Sequence, residues 1–266
     1  MAGTSFDVMR FHALLKTTSF GRNLIFEHSV GSTMDVARDA AAHGVPEGSL
    51  ALADEQTAGR GRLGRSWITP PATNLAATLL LRPPAPVLRA IAMIAPLAIC
   101  DAVEEVAGLR ADIKWPNDVQ FRGKKLAGIL IEVPQPPSPS SAGGADGIVL
   151  VGSGINVNFD PREYEEIRDI ATSLRAELGH DTDREALLAA YLLHFERLYT
   201  AARAGESIRD RWRERLVTLG QHVRAAWQGG AAEGVAEDVD ADGALLVRTP
   251  AGELIRVEAG DVTLRA

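Results

Sequence analysis

A chain of 266 residues can bury a full core, either as one large domain or as one domain with a small appendage, and the second arrangement is expected. With 46 % hydrophobic and 24 % charged residues its composition is that of an ordinary globular protein, which excludes general disorder. The net charge of −7 argues against a duplex nucleic-acid binder, and a single cysteine, Cys100, excludes an intrachain disulfide and a thiolate metal cluster. The apolar stretch at 87–100 carries Arg89 and Pro96 and is too short to span a bilayer. With no signal peptide at the start, a cytoplasmic protein without membrane contact is expected.

Residues 6–20 read as a short helix and a turn, and residues 23–30 as the first strand. Ser32 or Thr33 then caps a helix that runs to His43 and stops at Gly44. Short buried strands are expected at 49–54 and 74–81. Between them lies Gly59-Arg60-Gly61-Arg62-Leu63-Gly64-Arg65, in which glycines and arginines interleave. Glycine lets the backbone approach a ligand closely, and guanidinium forks match carboxylate and phosphate oxygens. The loop therefore reads as an anion site able to join a carboxylate to a phosphate. A solvated basic turn or an RGG-like RNA-binding tail is the competing reading, and the flanking core strands speak against both. Three glycines and three like charges also predict a loop that is mobile when free and ordered by an anionic ligand.

Residues 87–107 read as a central helix kinked at Pro96, with Cys100 packed inside it as a small hydrophobe. Residues 111–116 are strand-like up to Pro116. Residues 119–121 and 126–133 form a hairpin around Arg122-Gly123-Lys124, and the nearly continuous apolar second arm predicts a central strand covered on both faces. Residues 134–147, rich in Pro, Ser and Gly, read as a mobile loop before a strand at 148–151. Helices are expected at 184–203 and 206–219. From Gln221 onward, short alternating strands broken by Gly229-Gly230, Asp242-Gly243 and Ala251-Gly252 predict a small β-barrel. The expected division is thus a larger domain at 1–219 and a small one at 220–266. Only four lysines occur, and Lys114, Lys124 and Lys125 fall within twelve residues, which points to a need for an ammonium there. Lys124 by itself fits a solvated turn. The six histidines are scattered without ligand spacing, so no protein metal site is expected.

Three further motifs accompany the arginine loop: Lys114-Trp115-Pro116-Asn117-Asp118, then Lys125-Leu126-Ala127-Gly128-Ile129-Leu130-Ile131-Glu132, then Gly152-Ser153-Gly154-Ile155-Asn156-Val157-Asn158. With Gly31-Ser32-Thr33 upstream, this ordered set closely resembles the biotin protein ligases, and the terminal β-unit fits the family's SH3-like C-terminal domain. The resemblance implies an α+β fold, with a mixed or antiparallel sheet and helices as in class II aminoacyl-tRNA synthetases. It implies an enzyme that uses ATP and Mg²⁺ to activate biotin as biotinyl-5'-AMP and passes biotin to a lysine of a biotin carboxyl carrier domain of a biotin-dependent carboxylase. Anion must meet anion in such a reaction, so fixed positive charge and alignment matter more than a nucleophilic side chain.

Position by position, the resemblance puts Ser32, Thr33 and Gln56 on the ureido ring, where donors and acceptors are both required. Arg60, Gly61 and Arg62 correspond to the biotin-binding loop, with Arg62 holding carboxylate and α-phosphate together. Lys125 falls to the biotin carboxyl and the adenylate, and Lys114 to a phosphate. Arg65 and Trp67 lie nearer the nucleotide, and Asn117 and Asn156 are expected on the adenine side. Asp118 would orient or deprotonate the acceptor lysine, which completes a catalytic set of Arg62, Lys125, Asp118 and Lys114. Gly128, Gly152 and Gly154 permit close backbone approach or serve packing.

One departure stands out: the family's usual Ser-Thr-Asn reads Ser32-Thr33-Met34 here. A Met34 turned to the helix core with Val36, Ala37 and Ala40 is the preferred reading; one turned to the ligand would remove a polar contact. A lipoate protein ligase, the same reaction type on a different acid, is the nearest alternative. Some members of the family carry an N-terminal winged helix-turn-helix and act as repressors. Only residues 1–22 precede the first expected strand here, against the roughly 60 that a folded DNA-binding module needs. Nucleic acid is therefore not an expected partner, and a homodimer remains compatible with the sequence.

Overall fold

The computed structural model describes residues 3–134, 147–227, 229–258 and 260–264; most of the loop expected at 134–147 lies outside them. The chain opens with α1 (Val8–Leu14), capped by the Asp7 carboxylate, and β1 (Leu24–Val30). Ser32 is the N-cap of α2 (Thr33–Ala42), which ends at His43 and Gly44, the latter at φ +78° where a side chain would be strained. Then come β2 (Leu50–Gln56), β3 (Leu75–Leu81) and α3 (Ile91–Ala107). The helix starts later than the apolar pattern predicts. Pro83, Pro84 and Pro86 withhold backbone donors and set a 3-10 turn at Ala85–Val87 first. Pro96 lies inside the helix, and Cys100 is fully buried in it, where burial pushes the thiol up from its ordinary value.

A second run of strands follows: β4 (Asp112–Lys114), β5 (Asp118–Phe121), β6 (Lys124–Glu132) and β7 (Val149–Ile155). The main sheet has the order β1-β2-β3-β7-β6-β5-β4, with β1 parallel to β2 and every other pair antiparallel. Alternation along the strands feeds two cores. Leu50, Leu52, Leu75, Leu79 and Leu81 face the main core, into which α3 and α5 (Arg184–Arg203) also pack. Ala51, Leu80 and Leu150 face a smaller core under α2 with Met34, Ala37 and Ala41. The buried ion pair of Arg184 with Asp54, at 3.1 Å, anchors β2 together with the N-terminal segment: Ser5 Oγ donates to Asp54, and Arg184 donates to the Thr4 carbonyl.

Two expectations are corrected. The apolar arm at 126–133 becomes β6, but Gly128 and Leu130 are only partly covered, because α2 roofs one end of its sheet face and leaves a cavity over the other. The strand buried along its whole length is β3. The helix expected at 206–219 shrinks to α6 (Arg209–Arg213). After Arg213 the chain continues in turns and bridges the free edge of β4 at Leu216: Ile113 N donates to Arg215 O at 2.7 Å and Val217 N to Ile113 O at 3.0 Å.

A short α4 (Leu174–Leu178) precedes α5, and the chain closes with β8 (His222–Trp227), β9 (Gly230–Val239), β10 (Leu245–Arg248), β11 (Leu254–Val257) and β12 (Asp261–Leu264). These form a five-stranded antiparallel sheet in the order β11-β10-β9-β8-β12, and β9 alternates buried and exposed residues as a one-faced strand must. Trp115 Nε1 donates to Gly243 O at 2.9 Å and Arg209 donates to Val239 O, so this sheet is fastened to the main one beside the Lys-Trp-Pro-Asn-Asp segment. No helix among the described residues is long and apolar enough to cross a membrane.

Candidate active site

The cavity has a volume of about 430 Å³ and a floor made by three neighbouring strands. Register sets Ala76 of β3 beside Gly154 of β7 and Gly128 of β6, and the next row holds Thr78, Gly152 and Leu130. Period-two alternation explains the Gly-Ser-Gly motif. Gly152 and Gly154 face the cavity, while Ser153 turns to the opposite side and hydrogen bonds Tyr191 of α5 at 2.7 Å. Room over the glycines is already used. A Cβ on Gly154 would lie 2.3 Å from the Trp67 ring, and one on Gly152 would lie 2.7 Å from Met34 Sδ. Met34 thus does both things weighed for it: it packs in the α2 core, 3 % exposed, and it also lines the cavity.

At one end, polar groups form a chain. Thr33 N and Oγ1 donate to Gln56 Oε1 at 2.9 and 3.1 Å, and Thr33 Oγ1 also meets Thr78 Oγ1 at 2.9 Å. Ser32 sits beside them, its hydroxyl committed to the start of α2 through a long 3.4 Å bond from Met34 N. The arginine loop closes the side. It is not a free glycine loop: Gly61 N donates to Arg65 O at 2.7 Å and Trp67 N to Gly59 O at 2.9 Å, a hairpin-like tie. Leu63 and Gly64 turn its tip at φ 56° and 72°. Arg60 is paired with Asp35, and Arg62 donates to Asn117 Oδ1 at 2.8 Å and to the O of Gly260, just before β12, at 3.0 Å.

Opposite the loop, Lys125 Nζ lies 2.7 Å from Asp118 Oδ1 and 5.5 Å from the centre of a Trp67 ring. Asn117 is pinned to β6 by donating to Ile129 O at 2.6 Å. Lys114 and Arg65 also line the cavity, so every residue assigned to biotin, nucleotide or catalysis borders this one cavity. Lys124 is exposed, as a solvated turn residue would be. Asn156, expected on the adenine side, directs its Nδ2 to Thr172 O at 2.9 Å and so holds the segment that follows β7.

That segment is what sequence reasoning missed. Residues 167–171 bring Ile167, Asp169, Ile170 and Ala171 to the cavity wall. They pair with β6 at the candidate catalytic lysine itself: Lys125 N donates to Ile170 O at 2.8 Å and Thr172 N to Lys125 O at 2.9 Å. The signal available was two isoleucines set in an acidic run, one of which, Ile170, is 63 % exposed. Gln120 also lines the cavity and was not anticipated.

Comparison with known proteins matches this architecture. Residues 28–141 match the Biotin/lipoate A/B protein ligase family and residues 218–265 the Biotin protein ligase C terminal domain. A bifunctional ligase/repressor of Bacillus subtilis is 35 % identical over 255 residues, covering 94 % of this chain and 76 % of that one. The chain belongs to the biotin protein ligase family. A biotin--[acetyl-CoA-carboxylase] ligase of Paracoccus denitrificans is 38 % identical over 226 residues, covering 80 % of this chain and 90 % of that one. The biotin protein ligase of Aquifex aeolicus, solved with biotin and ATP, superposes with a TM-score of 0.78 at 30 % identity, covering 92 % of this chain and 99 % of that one. The protein is thus an enzyme, a ligase, and the biotin reading is favoured over the lipoate one.

Proposed function

We infer that this cavity joins biotin to ATP as biotinyl-5'-AMP and hands the biotinyl group to a lysine of a biotin carboxyl carrier domain of a biotin-dependent carboxylase. The observation that carries the reading is convergence. Arg62, Arg65, Lys114 and Lys125 border the same cavity as the polar set Ser32, Thr33 and Gln56, in a protein whose net charge is −7. A cavity of this size and mixed lining suits an adenylated small acid.

In the first step a carboxylate oxygen of biotin attacks the α-phosphorus of ATP, the bond to the bridging oxygen breaks, and pyrophosphate leaves. Arg62 and Lys125 are proposed to hold the carboxylate and α-phosphate together and offset the charge that builds between them. Lys114 and Arg65 take phosphate oxygens, and Trp67 and Asn117 border the nucleotide. In the second step the unprotonated lysine amine of the acceptor attacks the acyl carbon and AMP departs. Asp118, held by Lys125, is assigned to orient that amine or take its proton. Asn156 serves adenine indirectly, by fixing the segment at 171–173. Mg²⁺ enters as the counter-ion of ATP: among the described residues no three His, Cys, Asp or Glu side chains gather as a resident site would need.

Biotin-dependent exchange of pyrophosphate into ATP is the direct test, because it needs no acceptor. Mass spectrometry of the protein after incubation with biotin, lipoate and MgATP should find biotinyl-5'-AMP; lipoyl-5'-AMP without a biotin adduct would reverse the assignment. Amide exchange at 55–67 should slow when biotinyl-5'-AMP binds, beyond what the Gly61–Arg65 and Trp67–Gly59 bonds already give. Equal protection with and without the adenylate would mean a preformed loop. The acidic balance supports a ligase without DNA binding, and retardation of a promoter fragment at physiological salt would count against that part.

A further inference from the structure

Resemblance assigns Arg60 to biotin, yet its guanidinium is already engaged. Nη1 and Nη2 donate to Asp35 Oδ2 and Oδ1 at 2.8 and 2.7 Å, a forked pair. The same carboxylate accepts from Arg38 Nη1 at 2.5 Å, and Arg38 Nη2 continues to Glu132 at 2.6 Å. Four side chains therefore connect the arginine loop, the first turns of α2 and the end of β6, three elements that wall the cavity. The hydrogen bonds from Arg60, and then from Arg38, hold the Asp35 carboxyl down at about 2, and the Asp35 bond raises the Arg60 guanidinium in turn. A lowered carboxylate value means that the pair is closed above it and is lost only as pH falls toward about 2, so it is closed throughout the neutral range.

We propose that Asp35 is a positioning residue that clamps Arg60, so that Arg60 fixes the base of the loop on α2 instead of touching the biotin carboxylate. Spacing gives this clamp its purpose. Thr33, which holds Gln56 and is assigned to the ureido ring, lies two residues before Asp35 on the same helical turn. Ring recognition and loop geometry are thereby set by one rigid piece of backbone, and the carboxylate end of biotin is aligned by where α2 puts Arg60. The cations assigned to the substrate's carboxylate and phosphates are then Arg62, Arg65, Lys114 and Lys125, all bordering the cavity. The inference rests on the ligase reading and refines one residue's part in it.

A double-mutant cycle in the pyrophosphate exchange assay tests it, with Asp35→Ala, Arg60→Ala and the double variant compared in the full chain. The pair is 39 % and 47 % exposed, so water and salt screen it. Each single change should raise the KM for biotin by about tenfold at low salt while kcat stays within about twofold, and the KM effect should shrink at high salt. Arg60 acts through Asp35, so the two changes are non-additive and the double variant should be no worse than the worse single one. Asp35→Glu, which keeps the carboxylate, should recover most of the affinity. A loss of kcat on the order of 10² for Arg60→Ala beside a near-normal Asp35→Ala would put Arg60 on the substrate and overturn the proposal. So would losses that multiply in the double variant. An unsubstituted chain that performs no biotin-dependent exchange would instead remove the ligase reading on which the clamp depends.

Discussion

Lys125→Ala and Arg62→Ala are each expected to lower biotin-dependent pyrophosphate exchange by a factor on the order of 10² or more, as when an electrostatic donor to a developing charge is removed. The two losses should differ in kind. Lys125 Nζ is 2.7 Å from Asp118 Oδ1, so deleting the ammonium removes a cation and also leaves a carboxylate uncompensated beside the phosphates. Its backbone is fixed on both sides by Ile170 and Thr172, so the charge, not the fold, is what the change removes. Lys125→Arg keeps the charge on a different geometry and should recover only part of the rate. Arg62 spans Asn117 and the Gly260 carbonyl at 2.8 and 3.0 Å, which joins the loop to both the Lys-Trp-Pro-Asn-Asp segment and the residue just before β12. Arg62→Ala should therefore also loosen retention of the adenylate. Released adenylate would label lysines of bystander proteins, a signal that Lys125→Ala should lack. Near-normal exchange by both variants would mean that the positive charge has been put on the wrong residues.

What the sequence made legible is mostly local. Strands β2 and β3 stand out as short apolar runs, α2 as a Ser32-capped helix ending at a glycine, and α5 as an uninterrupted helical stretch whose bounds match the reading at 184–203. The candidate residues could be singled out because each sits in a short motif whose chemistry is readable without knowing what it faces, and the fold brings them to the border of one cavity. The misses are non-local. An apolar run reports burial but not which part of a strand face a cavity will uncover, so β6 was read as covered throughout. The end of α6 is decided by the edge of β4, about a hundred positions earlier in sequence, whose donor at Ile113 takes the Arg215 carbonyl. The segment at 167–171 reaches the cavity through main-chain pairing with Lys125, and main-chain pairing leaves no residue signature. Arg60 looked free to bind an anion because Asp35 lies 25 positions away on a helix whose polar face gives no hint of a partner.

Gly154→Ala is expected to lower formation of biotinyl-5'-AMP by a factor on the order of 10 to 10², the range that an overpacking penalty of about 1–3 kcal/mol implies if it falls on the bound state. Gly154 is central in the sheet, between Ala76 and Gly128, so its backbone cannot retreat without breaking register on both sides. An added Cβ would meet Trp67 Cε2 at 2.3 Å, Nε1 at 2.4 Å and Cζ2 at 2.7 Å, all ring atoms of a rigid side chain. The indole must lift, and its main chain is held at Gly59, so it can only swing into the volume that substrate needs. Gly128→Ala offers a comparison of another kind, since its added Cβ would lie 2.9 Å from Lys125 Cε and 3.1 Å from both Lys125 Nζ and Trp67 Cζ3, so it presses on the lysine and the indole together. Steric origin is checked by Trp67→Ala: in that background Gly154→Ala should add little, because the two residues are in contact and their effects are coupled. Thermal unfolding of each variant separates loss of fold from loss of site. If Gly154→Ala is as harmful without Trp67 as with it, the glycine is needed for the ligand's own approach to the sheet and not for the seat of the indole.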